Sequence, residues 1–208
     1  MWCCFCSSSR KIWVENLSFF RLHGVKREIR VVGIDDGNFF LRGVGKVNLV
    51  GVVFRGGEWV DGVLRTKIDV DGFDATKKIV KMVRESNHYG QIRVLMLTKI
   101  CFGRSNIVDV EKVFRGVKRP VIVFMRKPLN MGRLKLRVKD TKNETEKLRV
   151  LENLKKEFLR IGKDFWMLLF GVERFDAEKI LEITLKNTLP EPLRVARLVA
   201  LSLNRLKT

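Results

Sequence analysis

The feature that most constrains this chain lies between Arg27 and Val70. Three β-rich runs, "REIRVVGIDD" (27–36), "KVNLVGVVFR" (46–55) and "WVDGVLRTKIDV" (59–70), follow one another with only short glycine-bearing connections such as "LRGVG" and "GG". Links this short suit neighbouring antiparallel strands, whereas a parallel pair needs a crossover of a dozen or more residues. An antiparallel three-stranded meander is therefore predicted. The period then changes. "DATKKIVKMVRES" (74–86) sets Ile79, Val80 and Val83 on one helical face, with Asp74 suited to the N-cap.

The near-continuous apolar run "QIRVLMLT" (91–98) reads as a strand covered by helices on both faces. A short helix is predicted over 107–115. "RPVIVFMR" (119–126) is a second buried strand, with Pro120 at its entry, where a missing N–H does least harm. "TEKLRVLENLKKEFLRIG" (145–162) has helical periodicity and stops at Gly162, "FWMLLFGV" (165–172) reads as a last strand, and helices follow at 175–187 and 191–206. A meander followed by alternating helices and parallel strands is the succession of a ribonuclease H-like α/β fold. It is predicted for residues 26–208, with residues 1–25, which show no clean period, as an appendage.

Charge narrows the function. Lys and Arg number 42 against 23 Asp and Glu, a formal net charge of +19. A field of that sign favours polyanions, nucleic acid first, because neutralised phosphates release their counterions. The alternative is a highly charged thermophile surface, with which the single glutamine, Gln91, agrees. One tyrosine and scattered tryptophans provide no stacking platform for single-stranded RNA. Three of the four cysteines, Cys3, Cys4 and Cys6, crowd the first six residues, a pattern unlike a disulfide framework or a spaced metal site. No run approaches the roughly 18 apolar residues of a membrane span, and Arg10 and Lys11 interrupt any signal-peptide character. A cytoplasmic protein without a membrane partner is expected.

Against this basic background the acidic residues stand out. Ribonuclease H-like nucleases place carboxylates at the ends of the first strand and of the strand after the first helix, where bridged metal ions activate water and stabilise the leaving oxygen. Asp35 and Asp36 occupy the first position. With a period of two they point to opposite faces, so one of them is the inward ligand and the other a turn or outer residue. A solvated "DDGN" turn is the competing reading. Asp69, Asp71 and Asp74 form a second cluster, in which Asp71 is the better ligand candidate. It is no EF-hand loop, for the glycine falls at the fourth position and no glutamate closes it. At the third position the chain carries Thr98 and Lys99. A hydroxyl is a poor substitute for a charged ligand, and the ammonium would repel a cation or itself occupy its place. Just beyond stand Arg104, Asn106 and Asp109; Asn106 and Asp109 are expected close to the missing carboxylate, with Asn106 suited to a nucleic-acid contact or, equally well, to a helix cap. Arg126 and Lys127 follow a strand end on the same edge and suit phosphate contacts, as do Lys99 and Arg104. The basic tract 133–139 reads as a solvated helix face or, as the alternative, a second contact surface.

Taken together, "KREIRVVGIDDG", "GVVFRGGEWVDGVL", "VDGFDATKKI", "SNIVDVEKV", "PVIVFMRKP" and "LPEPLRVARLVA" resemble the archaeal endonuclease dU family and, more distantly, endonuclease V. The resemblance covers about residues 26–206. It implies a metal-dependent endonuclease, using Mg²⁺ or Mn²⁺, that acts on deaminated, deoxyuridine-containing DNA. In endonuclease V the first-strand motif Gly, small apolar, Asp falls on Gly33, Ile34 and Asp35, which favours Asp35 as the metal ligand. Asp71 and either Asp36 or Asp109 would complete the shell. Two departures stand against this. The family's fourth strand ends in Leu-Asp-Gly where this chain has Leu97, Thr98 and Lys99, and its C-terminal Ala-His-Leu is replaced by Ala196, Arg197 and Leu198. The alternative is thus a nucleic-acid-binding paralogue without turnover.

Overall fold

The computed structural model describes residues 24–37, 45–154, 158–161 and 165–205. Apart from Gly24 and Val25, the expected appendage lies outside the described residues, as do Cys3, Cys4, Cys6 and Gly162.

The predicted meander is present as β1 (Arg30–Asp35), β2 (Lys46–Arg55) and β3 (Trp59–Asp69), each pair antiparallel. Helix α1 (Ala75–Arg84) then crosses to β4 (Val94–Leu97), which lies parallel to β1, and α2 (Val110–Val117) crosses to β7 (Val121–Met125), parallel to β4. Between β4 and α2 a small hairpin, β5 (Cys101–Phe102) with β6 (Asn106–Ile107), interrupts the loop. It holds Ile107 inside a strand, so α2 starts later than the expected 107.

The last third of the chain departs further from expectation. Helix α3 (Met131–Val138) carries the basic tract, α4 (Glu144–Glu152) covers only the first half of the helix expected over 145–162, and β8 (Leu159–Ile161) and β9 (Phe165–Phe170) follow. β9 is not parallel. It returns from β8 as a hairpin and inserts between β8 and β7, antiparallel to both. A three-residue strand has almost no periodicity of its own, and pairing with β9 overrides the helical tendency of the residues before it. The sheet order is β3-β2-β1-β4-β7-β9-β8. Helices α5 (Arg174–Thr184) and α6 (Glu191–Arg205) complete the chain.

Alternate strand residues feed two cores. Val32, Ile34, Leu95, Leu97 and Val123 pack under Ile79 and Val83 of α1 and Val113 and Val117 of α2. Val31, Val94, Met96 and Ile122 pack against α5 and Leu193 of α6, while Val50 and Val52 meet Ala196 and Ala200 of α6. Because β1, β4 and β7 are parallel, their C-terminal ends share one edge, which therefore collects Asp35, Asp36, Thr98, Lys99, Arg126 and Lys127.

Two glycines fix α6 against this edge. A Cβ on Gly33 would lie 2.3 Å from the backbone of Pro192, and one on Gly37 would lie 2.4 Å from the backbone N of Leu201. Gly37 also has φ +75°, which side-chain-bearing residues rarely adopt. Glycines on both sides of the acidic pair let two turns of α6 touch the backbone around it, and Arg197 lies on the helix between those contacts.

Candidate functional site

Asp35, the last residue of β1, and Asp36, the first beyond it, are fully buried and face different neighbours. Asp35 faces α6. Its Oδ2 lies 3.3 Å from Nε of Arg197, and its Oδ1 accepts the Gly37 N–H at 2.5 Å. Asp36 faces the β5–β6 hairpin. Its Oδ2 accepts the Gly103 N–H at 2.7 Å, and its Oδ1 lies 2.6 Å from Nζ of Lys99. The Asp36 carbonyl accepts from Nδ2 of Asn204, which also meets Asn48 on β2.

The β1–β4 register pairs Ile34 with Leu97. Thr98 is the first residue past the last pair of that register, as Asp35 is on β1. The hydroxyl of Thr98 is buried and has no hydrogen-bond partner among the described residues. So the position where a third carboxylate was expected holds an unsatisfied hydroxyl, and the neighbouring ammonium turns to Asp36.

The second acidic cluster does different work. Asp71 accepts from Nε of Arg104 at 2.8 Å and from a terminal amino group of the same guanidinium, a bidentate pair, and from the Ser105 hydroxyl at 2.9 Å. Burial raises the Asp71 carboxyl, but the Arg104 fork and the Ser105 hydroxyl outweigh it and hold the group below the ordinary carboxylate range. Beneath lies Lys147, fully buried on α4. Its ammonium donates to the Asp71 carbonyl at 2.8 Å, the Thr141 hydroxyl at 3.0 Å and the Ser105 hydroxyl at 3.1 Å. Burial pulls this lysine below its ordinary value. Burial likewise pushes up the thiol of neighbouring Cys101.

Asn106 is buried. Its Oδ1 accepts the Ala75 N–H at 3.1 Å, and its Nδ2 donates to the Asp69 carbonyl and to Oδ1 of Asp74. It therefore caps α1 from a neighbouring hairpin instead of meeting solvent, while Asp74, at the N-cap position, makes no capping bond to the helix. Asp109 caps α2 through the Lys112 N–H at 3.0 Å and pairs with the Lys112 ammonium at 3.2 Å. Arg126 and Lys127 are exposed just past β7.

The structure thus brings together Asp35, Asp36, Thr98, Lys99 and Arg197, and groups Asp71 separately with Arg104, Ser105 and Lys147. Among the described residues no three His, Cys, Asp or Glu side chains converge as a metal site. The donor set does not fit the expected Mg²⁺ or Mn²⁺. Such an ion binds through one or two carboxylates completed by waters, but each of the four oxygens of Asp35 and Asp36 accepts a donor of this chain, and two of those donors are cations that repel it. Sequence reasoning noted Arg197 only as a departure and missed Lys147 and Ser105 entirely. The legible signal was charge. Where the resembled pattern has Asp, Gly and His, this chain carries Thr98, Lys99 and Arg197.

Comparison with known proteins bears on the family and the fold. A UPF0215 protein of Methanosarcina mazei is 40% identical over 181 residues, covering 85% of this chain and 91% of that protein. The crystal structure of a protein of unknown function from Archaeoglobus fulgidus superposes with a TM-score of 0.76 at 38% identity, covering 84% of this chain and 97% of that one. Ciona intestinalis endonuclease V, solved with a 24mer DNA containing an inosine followed by a ribo-adenosine, matches with a TM-score of 0.57 at 12% identity, covering 86% of this chain and 87% of that one. The last likeness is one of fold, and the fold is the ribonuclease H-like nuclease fold expected from the succession of elements. The sequence profile described as Endonuclease dU matches residues 27–204, from the strand that carries Asp35 to the helix that carries Arg197, and the chain belongs to that nuclease family.

Proposed function

We propose that this protein binds DNA across the C-terminal edge of its sheet and, in the arrangement described, holds it without hydrolysis. One observation carries the reading: Lys99 and Arg197, at the two places where the chain departs from its family's pattern, lie 2.6 Å and 3.3 Å from the two buried carboxylates. Their charges cancel those of Asp35 and Asp36, and an edge without that excess negative charge admits a phosphate backbone. The net charge of +19 supplies long-range attraction, and the exposed Arg126 and Lys127 are suited to phosphate contacts. Deaminated, deoxyuridine-containing duplex is the ligand that the family description supports, and the endonuclease V bound to inosine-containing DNA supports the choice of nucleic acid.

A second reading, hydrolysis of that DNA with Mg²⁺ or Mn²⁺, is favoured by the retained carboxylate at the end of β1. It requires Arg197 and Lys99 to leave their partners. The test incubates the purified protein with a deoxyuridine-containing duplex and either ion. Binding without cleavage is expected; cleavage that Asp35→Ala abolishes would establish the second reading in its place.

A further inference from the structure

We infer that Arg197, oriented by Asp35, is an anion-binding residue that takes the electrostatic place of a divalent ion at this edge, so that the protein grips a DNA phosphodiester without metal. The inference rests on the DNA-binding reading and assigns Asp35 a positioning role.

The geometry has three parts. Asp35 is wholly buried and accepts Nε of Arg197, whose side chain remains 36% exposed. The carboxylate therefore anchors the inner end of the guanidinium while the outer end reaches solvent. A guanidinium carries five N–H donors in a rigid fork, and only the Nε donor is used here, since the terminal amino groups of Arg197 have no partner among the described residues. Such a fork matches two oxygens of a phosphate.

Second, the hydroxyl of Thr98, just past the end of β4, is buried without a partner among the described residues. Buried polar groups are almost always satisfied, so an orphan of this kind points to a ligand oxygen or water that completes it. Third, Lys99 pairs with Asp36 at 2.6 Å. Without that ammonium, the second carboxylate would repel the phosphate that the fork attracts.

The test measures affinity for a deoxyuridine-containing duplex by fluorescence anisotropy, in EDTA and in Mg²⁺ at matched ionic strength. Binding in EDTA is expected to be at least as tight as in Mg²⁺. Arg197→Ala is expected to weaken it about tenfold, the cost of a charge-assisted contact, and to lower the slope of log affinity against log salt by about one. Arg197→Lys keeps a cation against the buried Asp35, which guards against loss through misfolding; a smaller loss with an unchanged slope is expected. A requirement for Mg²⁺, or wild-type affinity and slope in both variants, overturns the inference and leaves DNA binding standing. Absence of binding in either buffer overturns DNA binding itself.

Discussion

Arg197 on α6 meets Asp35 on β1 across 162 positions of sequence, Nε to Oδ2 at 3.3 Å. No local pattern contains this pair. It exists because Gly33 and Gly37 allow α6 to lie on the backbone either side of the carboxylate.

If the cations at 99 and 197 displace a metal ion, restoring the family's residues restores a metal site. The triple variant Thr98→Asp, Lys99→Gly, Arg197→His is expected to bind Mn²⁺ more tightly than the wild type. Without metal its crowded carboxylates destabilise it, so its melting temperature should rise with added Mn²⁺. Calorimetric titration together with thermal unfolding checks this, and a variant indifferent to Mn²⁺ would contradict it.

Lys99→Ala removes the ammonium from a carboxylate that is 1% exposed. Stranding a buried charge is costly; the lysine's own partial exposure brings the expected loss to about 2 kcal/mol. The double variant Asp36→Asn with Lys99→Ala is expected to recover part of it, because a neutral amide is cheaper to bury. Urea unfolding of the three proteins measures the difference.

Gly33→Ala drives a methyl group to 2.3 Å from the Pro192 backbone. Neither β1 nor the first turn of α6 can yield locally, and a destabilisation of about 3 kcal/mol is expected. DNA affinity should fall as well, since Arg197 moves with α6. Stability equal to the wild type's would show that this contact is not tight.

Asp71 predicts an acid response. Its folded-state value lies below the ordinary 3.8, so at a pH between the two the unfolded chain binds the extra proton. Its contribution is complete above the ordinary value and is lost as pH falls through the lowered folded one. Asp71→Asn is therefore expected to flatten the stability profile below about pH 4. Chemical denaturation across that range reads it directly.

Arg126→Ala with Lys127→Ala is expected to leave folding unchanged, since both side chains are exposed. It should reduce the salt slope of DNA binding by about two, one for each phosphate contact. An unchanged slope would move the phosphate track elsewhere on the surface.

The meander, α1, the two parallel strands and α6 were all legible because each follows from local facts: short links between β-rich runs, a 3.6-residue period, and apolar runs of strand length. The edge position of Asp35 and Asp36 followed from the same reading. The β5–β6 hairpin and β8 were not legible. They are two or three residues long, too short for a period, and exist only because a partner strand satisfies their backbone.

The sequence by itself determined which residues reach the common edge, and by alternation that Asp35 and Asp36 face opposite sides. Only the tertiary structure decided what each faces. Asp71 was drawn to Arg104 and Ser105, Asn106 was turned inward to cap α1, and Arg197 was brought to Asp35. Side-chain type sets what charge a position carries, whereas the choice of counter-charge depends on packing between elements distant in the chain, where a few ångströms separate a carboxylate open to a metal ion from one closed by an arginine.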